Sequence, residues 1–85
     1  MKYTNLTASA LVKTGYGVIA GFIVNSHTAG TLKLWDNTSA ATTVIIDTYT
    51  FPTGSSVVEF PEEIAFNTGL YATIGGTANI TLVWK

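Results

Sequence analysis

Few side chains of this sequence could carry out acid–base, nucleophilic or metal chemistry. The chain holds five carboxylates, one histidine and no cysteine. Three of the carboxylates, Glu59, Glu62 and Glu63, lie close together, and Ser26 directly precedes His27. Neighbouring carboxylates serve as acid and base in glycoside hydrolysis or bind calcium, and a Ser–His pair belongs to many nucleophilic sites. These two groups are therefore the places where a reaction would have to occur.

Neither group has the spacing that its chemistry needs. Adjacent residues of an extended chain point to opposite sides, so Ser26 and His27 cannot face one substrate, and no Gly-x-Ser-x-Gly turn accompanies them. Glycosidase carboxylates come from separate strands around a deep cleft, and the calcium-loop pattern of alternating Asp or Asn with Gly is missing. We therefore predict no enzyme activity, no cofactor and no metal site. The serine and histidine are expected in a solvated turn, and the glutamates in a charged loop that limits pairing between sheet edges.

The charge and hydropathy patterns exclude two classes of partner. The net charge is −1, and the four basic residues are scattered along the chain, whereas nucleic-acid binding needs a concentrated basic face. No apolar run approaches the roughly 18 residues of a membrane-spanning segment, and the N-terminal apolar stretch is too short and too polar for a classical export signal. We therefore expect a soluble protein that binds neither nucleic acid nor membrane.

The 85 residues fit one domain, residues 1–85, but leave its core small. A domain of this size buries only about 60 to 65% of the surface of its unfolded chain. Disulfides cannot support it because cysteine is absent, and one histidine cannot form a closed zinc site. Charged residues make up 11% of the chain against a usual share of about 25%. Either Thr, Ser and Asn keep the surface soluble, or some faces are hidden in contacts between subunits, and we expect both.

Strand-forming residues alternate with turn signals along the whole chain. Val, Ile, Thr, Tyr, Phe and Trp favour strands, and Gly, Pro, Asn and Asp separate the runs. The predicted strands cover residues 3–12, 16–25, 31–35, 42–51, 56–60, 64–66, 70–74 and 78–84. Gly75 and Gly76 can adopt the positive φ angles of a two-residue turn, which predicts an antiparallel hairpin of the last two strands. We expect an all-β domain, a compact antiparallel β-sandwich of jelly-roll type with about eight short strands, with a small closed β-barrel as the alternative.

The second predicted strand is apolar on both of its faces. One face is formed by Tyr16, Val18, Ala20, Phe22 and Val24. The other contains Ile19, Gly21 and Ile23. Because a strand of a two-layer sandwich meets the core with one face only, Ile19, Gly21 and Ile23 are predicted to form an interface between subunits. The alternative is an edge strand wrapped by the N-terminal segment.

Three aromatic residues are candidates for contact with a partner or a glycan. They are Trp35, Tyr49 and Tyr71. Exposed Trp and Tyr rings stack on sugars and anchor protein interfaces, although packing in the core is the alternative for each of them. Trp35 is expected to point outward because Leu32 and Leu34 share the opposite face of its strand.

Three stretches in the centre and C-terminal part of the chain form a pattern of strands and turns: Gly-Phe-Ile-Val-Asn-Ser at 21–26, Gly-Thr-Leu-Lys-Leu-Trp-Asp-Asn at 30–37, and Phe-Asn-Thr-Gly-Leu-Tyr-Ala-Thr-Ile-Gly-Gly-Thr-Ala at 66–78. This pattern resembles short structural proteins encoded among the virion genes of tailed bacteriophages. It implies a component of the virion, such as a capsid decoration, head-fibre or connector-associated protein.

We therefore expect a non-enzymatic structural protein located in the virion. Its partners would be copies of itself, in a homo-oligomer that we expect to be a trimer, and other virion proteins. The alternative from a different class is a small lectin-like module that binds carbohydrate through Trp35 with Tyr49 or Tyr71.

Overall fold

Six β-strands and no helix make up the structure, a computed structural model that describes residues 1–85. The strands are β1 (Lys2–Leu6), β2 (Ala10–Thr14), β3 (Gly17–Trp35), β4 (Val44–Thr50), β5 (Ser56–Phe66) and β6 (Gly69–Trp84). With no helix present, none is available to cross a membrane.

The two long strands, β3 and β6, form an antiparallel ribbon on which the short strands assemble. Its pairing runs from Ile19 opposite Trp84 to Trp35 opposite Tyr71. Along the outer edge of β6, β1 and β2 pair with its C-terminal and N-terminal parts, and along the outer edge of β3, β5 and β4 pair with its two parts. The sheet therefore has two halves, with strand orders β1-β6-β3-β5 and β2-β6-β3-β4, which we call the β1–β5 half and the β2–β4 half.

The ribbon bends where the two halves meet. Thr28 pairs with Thr77 and Thr31 with Gly75, so two residues of β3 lie opposite Gly76 alone. This β-bulge combines positive φ angles of 49° at Ala29 and 69° at Gly76, and a bulge of this kind bends and twists the strands that carry it. A Cβ atom on Gly76 would overlap the carbonyl oxygen of Ala29. Glycine is therefore required here for both its backbone angle and its lack of a side chain.

His27 fixes the bend with both of its ring nitrogens. The Gly30 amide donates a hydrogen bond of 3.2 Å to His27 Nδ1. Because Nδ1 is then an acceptor, the ring proton lies on Nε2, which donates to the carbonyl of Pro52. The ring also packs edge-on against Phe51, with centroids 5.3 Å apart. A histidine that the sequence placed in a solvated turn is thus a structural part of the bend.

The core lies between the inner faces of the two halves. Its 13 buried hydrophobic residues are Leu6, Ile19, Phe22, Val24, Leu32, Leu34, Phe51, Phe66, Leu70, Ala72, Ala78, Ile80 and Leu82. Phe22 of the β1–β5 half meets Tyr49 of β4 edge-on at 5.7 Å and lies 6.4 Å from Phe51. No polar or charged residue is buried, so hydrophobic packing and the antiparallel ladder hold the halves together.

The predicted all-β, antiparallel fold is confirmed, but its division into strands is not. The second and third predicted strands join to form β3, the fifth and sixth form β5, the last two form β6, and the first divides into β1 and β2. The predicted hairpin at Gly75 and Gly76 is wrong, because both parts of β6 pair with β3 and not with each other. The glycine conformation that would close a turn serves the bulge instead. The sheet is not closed, so the barrel alternative is also wrong.

We predict that Gly76→Ala lowers the free energy of unfolding by about 2–4 kcal/mol, because it combines an unfavourable φ angle with an overlap against backbone. Gly54→Ala is the matched control: Gly54 has a φ of 86° but nothing within 4 Å of a Cβ atom. It should lose only about 1–2 kcal/mol from its φ angle. Urea unfolding of both variants measures the difference, and equal losses would show that the bulge does not constrain the fold.

Candidate functional site

The outer face of the β1–β5 half carries a group of apolar side chains that the core does not use. Cross-strand register aligns Tyr3 with Val83, and Ile23 with Val57. Tyr3 is 75% exposed and Val57 is 62% exposed, whereas Ile23 and Val83 are half-buried. We call these four residues the β1–β5 patch. Grouped apolar side chains on a sheet face are typical of an interaction surface.

A β-bulge in β3 decides which of the predicted interface residues reach this face. Ile19 pairs with Trp84 and Gly21 with Val83, so Ala20 is an extra residue that reverses the alternation. Ile19 consequently points into the core with 0% exposure, and its predicted outward placement is wrong. Gly21 and Ile23 follow the bulge and lie on the outer side, so the structure separates the three residues, and an interface through Gly21 and Ile23 stays a prediction.

Beside the patch, β5 leaves β3 and opens a groove. Glu59 pairs with Gly21 and Ile64 with Ile19, so residues 60–63 of β5 lie opposite Ala20 alone. The groove measures about 370 Å³. Its principal lining residues are Ala20, Ile23, Val57, Glu59, Phe60, Glu63 and Val83. A Cβ atom on Gly21 would overlap the Val58 carbonyl, so the floor of the groove depends on this glycine.

The rim of the groove is acidic. Glu59 and Glu63 belong to its lining, and Glu62 is exposed between them. Lys85 neutralises Glu63 through an ion pair of 3.0 Å, whereas Glu59 and Glu62 form no ion pair. The glutamate cluster predicted as a charged loop is therefore part of β5 and of an apolar groove, which favours an occupant that is apolar and positively charged.

A network of amides and hydroxyls lies next to the patch on the same face. Asn5 Nδ2 donates hydrogen bonds to Asn79 Oδ1 at 2.7 Å and to Thr81 Oγ1 at 3.2 Å. Asn25 Nδ2 donates to the same two oxygens, at 3.0 and 3.1 Å. These side chains join β1, β3 and β6 beside the patch. The sequence carries no signal for this network, because Asn5 pairs with Thr81, Asn79 pairs with Ser26, and Asn25 lies at a register shift of β3.

On the β2–β4 half, the structure separates the three candidate aromatic residues. Trp35 pairs directly with Tyr71, and the same cross-strand line continues to Leu11 and Val44. We call these four residues the Trp35 row. Tyr49 pairs with Leu32 on the inner side and packs against Phe22, so it does not belong to the same surface. The Trp35 side chain points to the face opposite that of the buried Leu32, as the alternation predicted.

Polar groups surround the Trp35 ring. Its Nε1 donates to Thr73 Oγ1 at 3.0 Å, and Lys33 Nζ lies 4.4 Å from the ring centroid. The same lysine forms an ion pair of 3.2 Å with Asp47. Hydrogen bonding from Lys33 holds the pKa of Asp47 below its usual value. The row thus combines two aromatic rings with an ion pair on an open sheet face.

Asp36 anchors the turn between β5 and β6 to the end of β3. Its Oδ1 accepts hydrogen bonds from the amides of Asn67 at 3.0 Å, Thr68 at 2.8 Å and Gly69 at 3.4 Å. Partial burial raises the pKa of Asp36, but these three amide donors outweigh that effect and the pKa is lowered overall. The carboxylate therefore has a structural function at this turn.

No group of three or more His, Cys, Asp or Glu side chains comes together in a way that could hold a metal ion. Comparison of the chain with protein-family models, with curated proteins and with solved structures found no match. The surfaces described above are therefore the basis for any assignment of function.

We predict that Asp36→Ala lowers the free energy of unfolding at pH 7 by about 1–2 kcal/mol, because three amides lose a charged acceptor. Since the pKa of Asp36 is lower in the folded than in the unfolded chain, its contribution is present above the unfolded-state pKa and disappears as the pH falls through the folded-state pKa. Urea unfolding of wild type and variant between pH 7 and pH 2 should give curves that converge at the acid end. A difference that is the same at every pH would contradict this account.

Proposed function

We propose that this chain is a non-enzymatic structural protein of a phage particle that assembles into a homo-oligomer, for which a trimer is the expected form. The fold that we propose for it is a compact sandwich of jelly-roll type, which the packing of Phe22 against Tyr49 across the two halves favours. Its place in the particle would be that of a capsid decoration, head-fibre or connector-associated protein, acting through contacts with its own copies and with other virion proteins.

The observation that carries this proposal is the β1–β5 patch. Tyr3 and Val57 expose most of their side-chain surface on an ordered sheet face, in a chain with only 11% charged residues. Such a surface is stabilised when another protein covers it, because the apolar area is then removed from water. In the neighbouring network the amide nitrogens already donate to oxygens of the same network, which lowers the desolvation cost of contact there.

The surroundings of the two reactive-looking groups support a non-enzymatic role. Both ring nitrogens of His27 are occupied by backbone groups at the bend, which leaves neither nitrogen to activate Ser26. Glu63 is engaged by Lys85. These side chains have structural partners in place of a substrate. The resemblance of residues 21–26, 30–37 and 66–78 to virion proteins agrees with this assignment.

The chain should remain bound to phage particles through a density gradient and wash, in a fixed ratio to the major capsid protein that matches a symmetry position. Quantitative mass spectrometry of the purified particles measures this ratio. A host protein of similar abundance in the same lysate is the control for carry-over. Loss of the chain from intact particles would overturn the virion assignment.

A second candidate function, binding of carbohydrate, is favoured by the adjacency of Trp35 and Tyr71 on one open face with Lys33 and Asp47 beside them. Aromatic rings next to charged hydrogen-bonding groups are suited to stacking on sugars. Under this alternative, a glycan array detects binding that Trp35→Ala abolishes and that Tyr16→Ala, at an exposed tyrosine outside the row, leaves intact. The homo-oligomer account expects no binding at millimolar sugar, and a Trp35-dependent signal would favour the lectin-like alternative.

A further inference from the structure

The β1–β5 half has two free edges that match each other in direction. β1 pairs only with β6, and β5 pairs only with β3. Because every pairing in the order β1-β6-β3-β5 is antiparallel, β1 and β5 run antiparallel to one another at opposite edges. If a second copy lies beside the first in the same orientation, its β1 is antiparallel to the first copy's β5. Unpaired backbone groups on such edges can then continue the ladder.

The two edges also match in side-chain chemistry. The β1 edge presents Tyr3, which is largely exposed on the outer face. The adjacent Lys2 points to the opposite face, where its Nζ lies 5.4 Å from the centroid of the Trp84 ring. The β5 edge presents the apolar groove with the unpaired carboxylates of Glu59 and Glu62. An exposed ring suits the apolar lining of this groove, and the chain itself supplies one at its opposite edge.

The groove is large enough for this ring. An apolar cavity of about 150 Å³ accommodates benzene, and the groove provides about 370 Å³. It opens on the same outer face as Tyr3, because Tyr3 pairs with Val83 of the groove lining. Within one chain the tyrosine remains exposed, so it is available to a neighbouring copy.

We propose that copies of this chain join edge to edge, with β1 of one copy antiparallel to β5 of the next and Tyr3 of the first in the groove of the second. This inference rests on the proposed homo-oligomer and specifies its interface. Because the two joined surfaces differ, the contact is heterologous, and repetition of such a contact closes a ring, such as a trimer, or extends a fibre. A twofold contact of one surface with itself would stop at a dimer.

Two single variants test the two sides of the interface. Tyr3→Ala removes the ring, and Val57→Lys fills the groove and places a charge in its apolar lining. Both residues are exposed, so the core is unchanged. Sedimentation velocity across a dilution series should show a ring or fibre for the wild type and monomers for each variant, with the dissociation constant raised by about 30-fold or more, as for truncation of an interface anchor. Tyr16→Ala, which removes a tyrosine that is 64% exposed outside the patch, should behave as wild type.

Mixing the two variants distinguishes this interface from a symmetric one. The Tyr3→Ala chain retains an intact groove and the Val57→Lys chain retains its tyrosine, so one functional contact remains between them. The mixture should form a one-to-one dimer and nothing larger. Recovery of the dimer also shows that both chains are folded.

The outcomes separate this inference from the proposed function. A wild-type oligomer whose mass is unchanged by Tyr3→Ala and Val57→Lys, or folded variants that stay monomeric when mixed, would overturn the edge-to-edge contact and leave the homo-oligomer standing. A wild-type chain that is monomeric at every concentration would overturn both.

Discussion

The rest of the structure depends on the bulge at the middle of the β3–β6 ribbon. If this ribbon stayed straight, its apolar inner face would remain exposed to water. The backbone of Ala29 and Gly76 takes positive φ angles there, and His27 ties the bulge to the segment that follows β4. The bend turns the inner faces of both halves toward each other, so that a chain of 85 residues obtains a core without a disulfide or a metal ion.

The same bend determines what remains on the outside. Once the core has taken one face of each half, the residues on the other faces are exposed, and the edges of an open sheet remain unpaired. In the β1–β5 half this leaves Tyr3 at one edge and the groove at the other. In the β2–β4 half it leaves the Trp35 row, whose charges are already paired by Lys33 and Asp47. Glu59 and Glu62, two carboxylates without an ion pair, lie on the half that we assign to self-assembly.

The strand content and the outward direction of Trp35 follow from the alternation of residue types along the strands, which can be read directly from the sequence. Two features could not be read from it. The bulge at Ala20 shifts the alternation by one residue and sends Ile19 inward, and no local residue preference marks that shift. Gly76 has the positive φ angle that the sequence indicates, but a tight turn and a bulge use the same angle and differ only in which strand lies opposite. The position of Tyr3 at a free edge could not be predicted, because the first predicted strand divides at residues 7–9 and its two parts join different halves of the sheet.

The central claim is that the free edges β1 and β5 are the contacts between copies, and amide hydrogen exchange at low and high protein concentration tests it most directly. The edges β2 and β4 of the other half serve as internal controls, since they are equally unpaired. The account predicts that exchange slows with concentration in Lys2–Leu6 and Ser56–Phe66 and is unchanged in Ala10–Thr14 and Val44–Thr50. Protection that increases in all four edges alike, or in none, would contradict it.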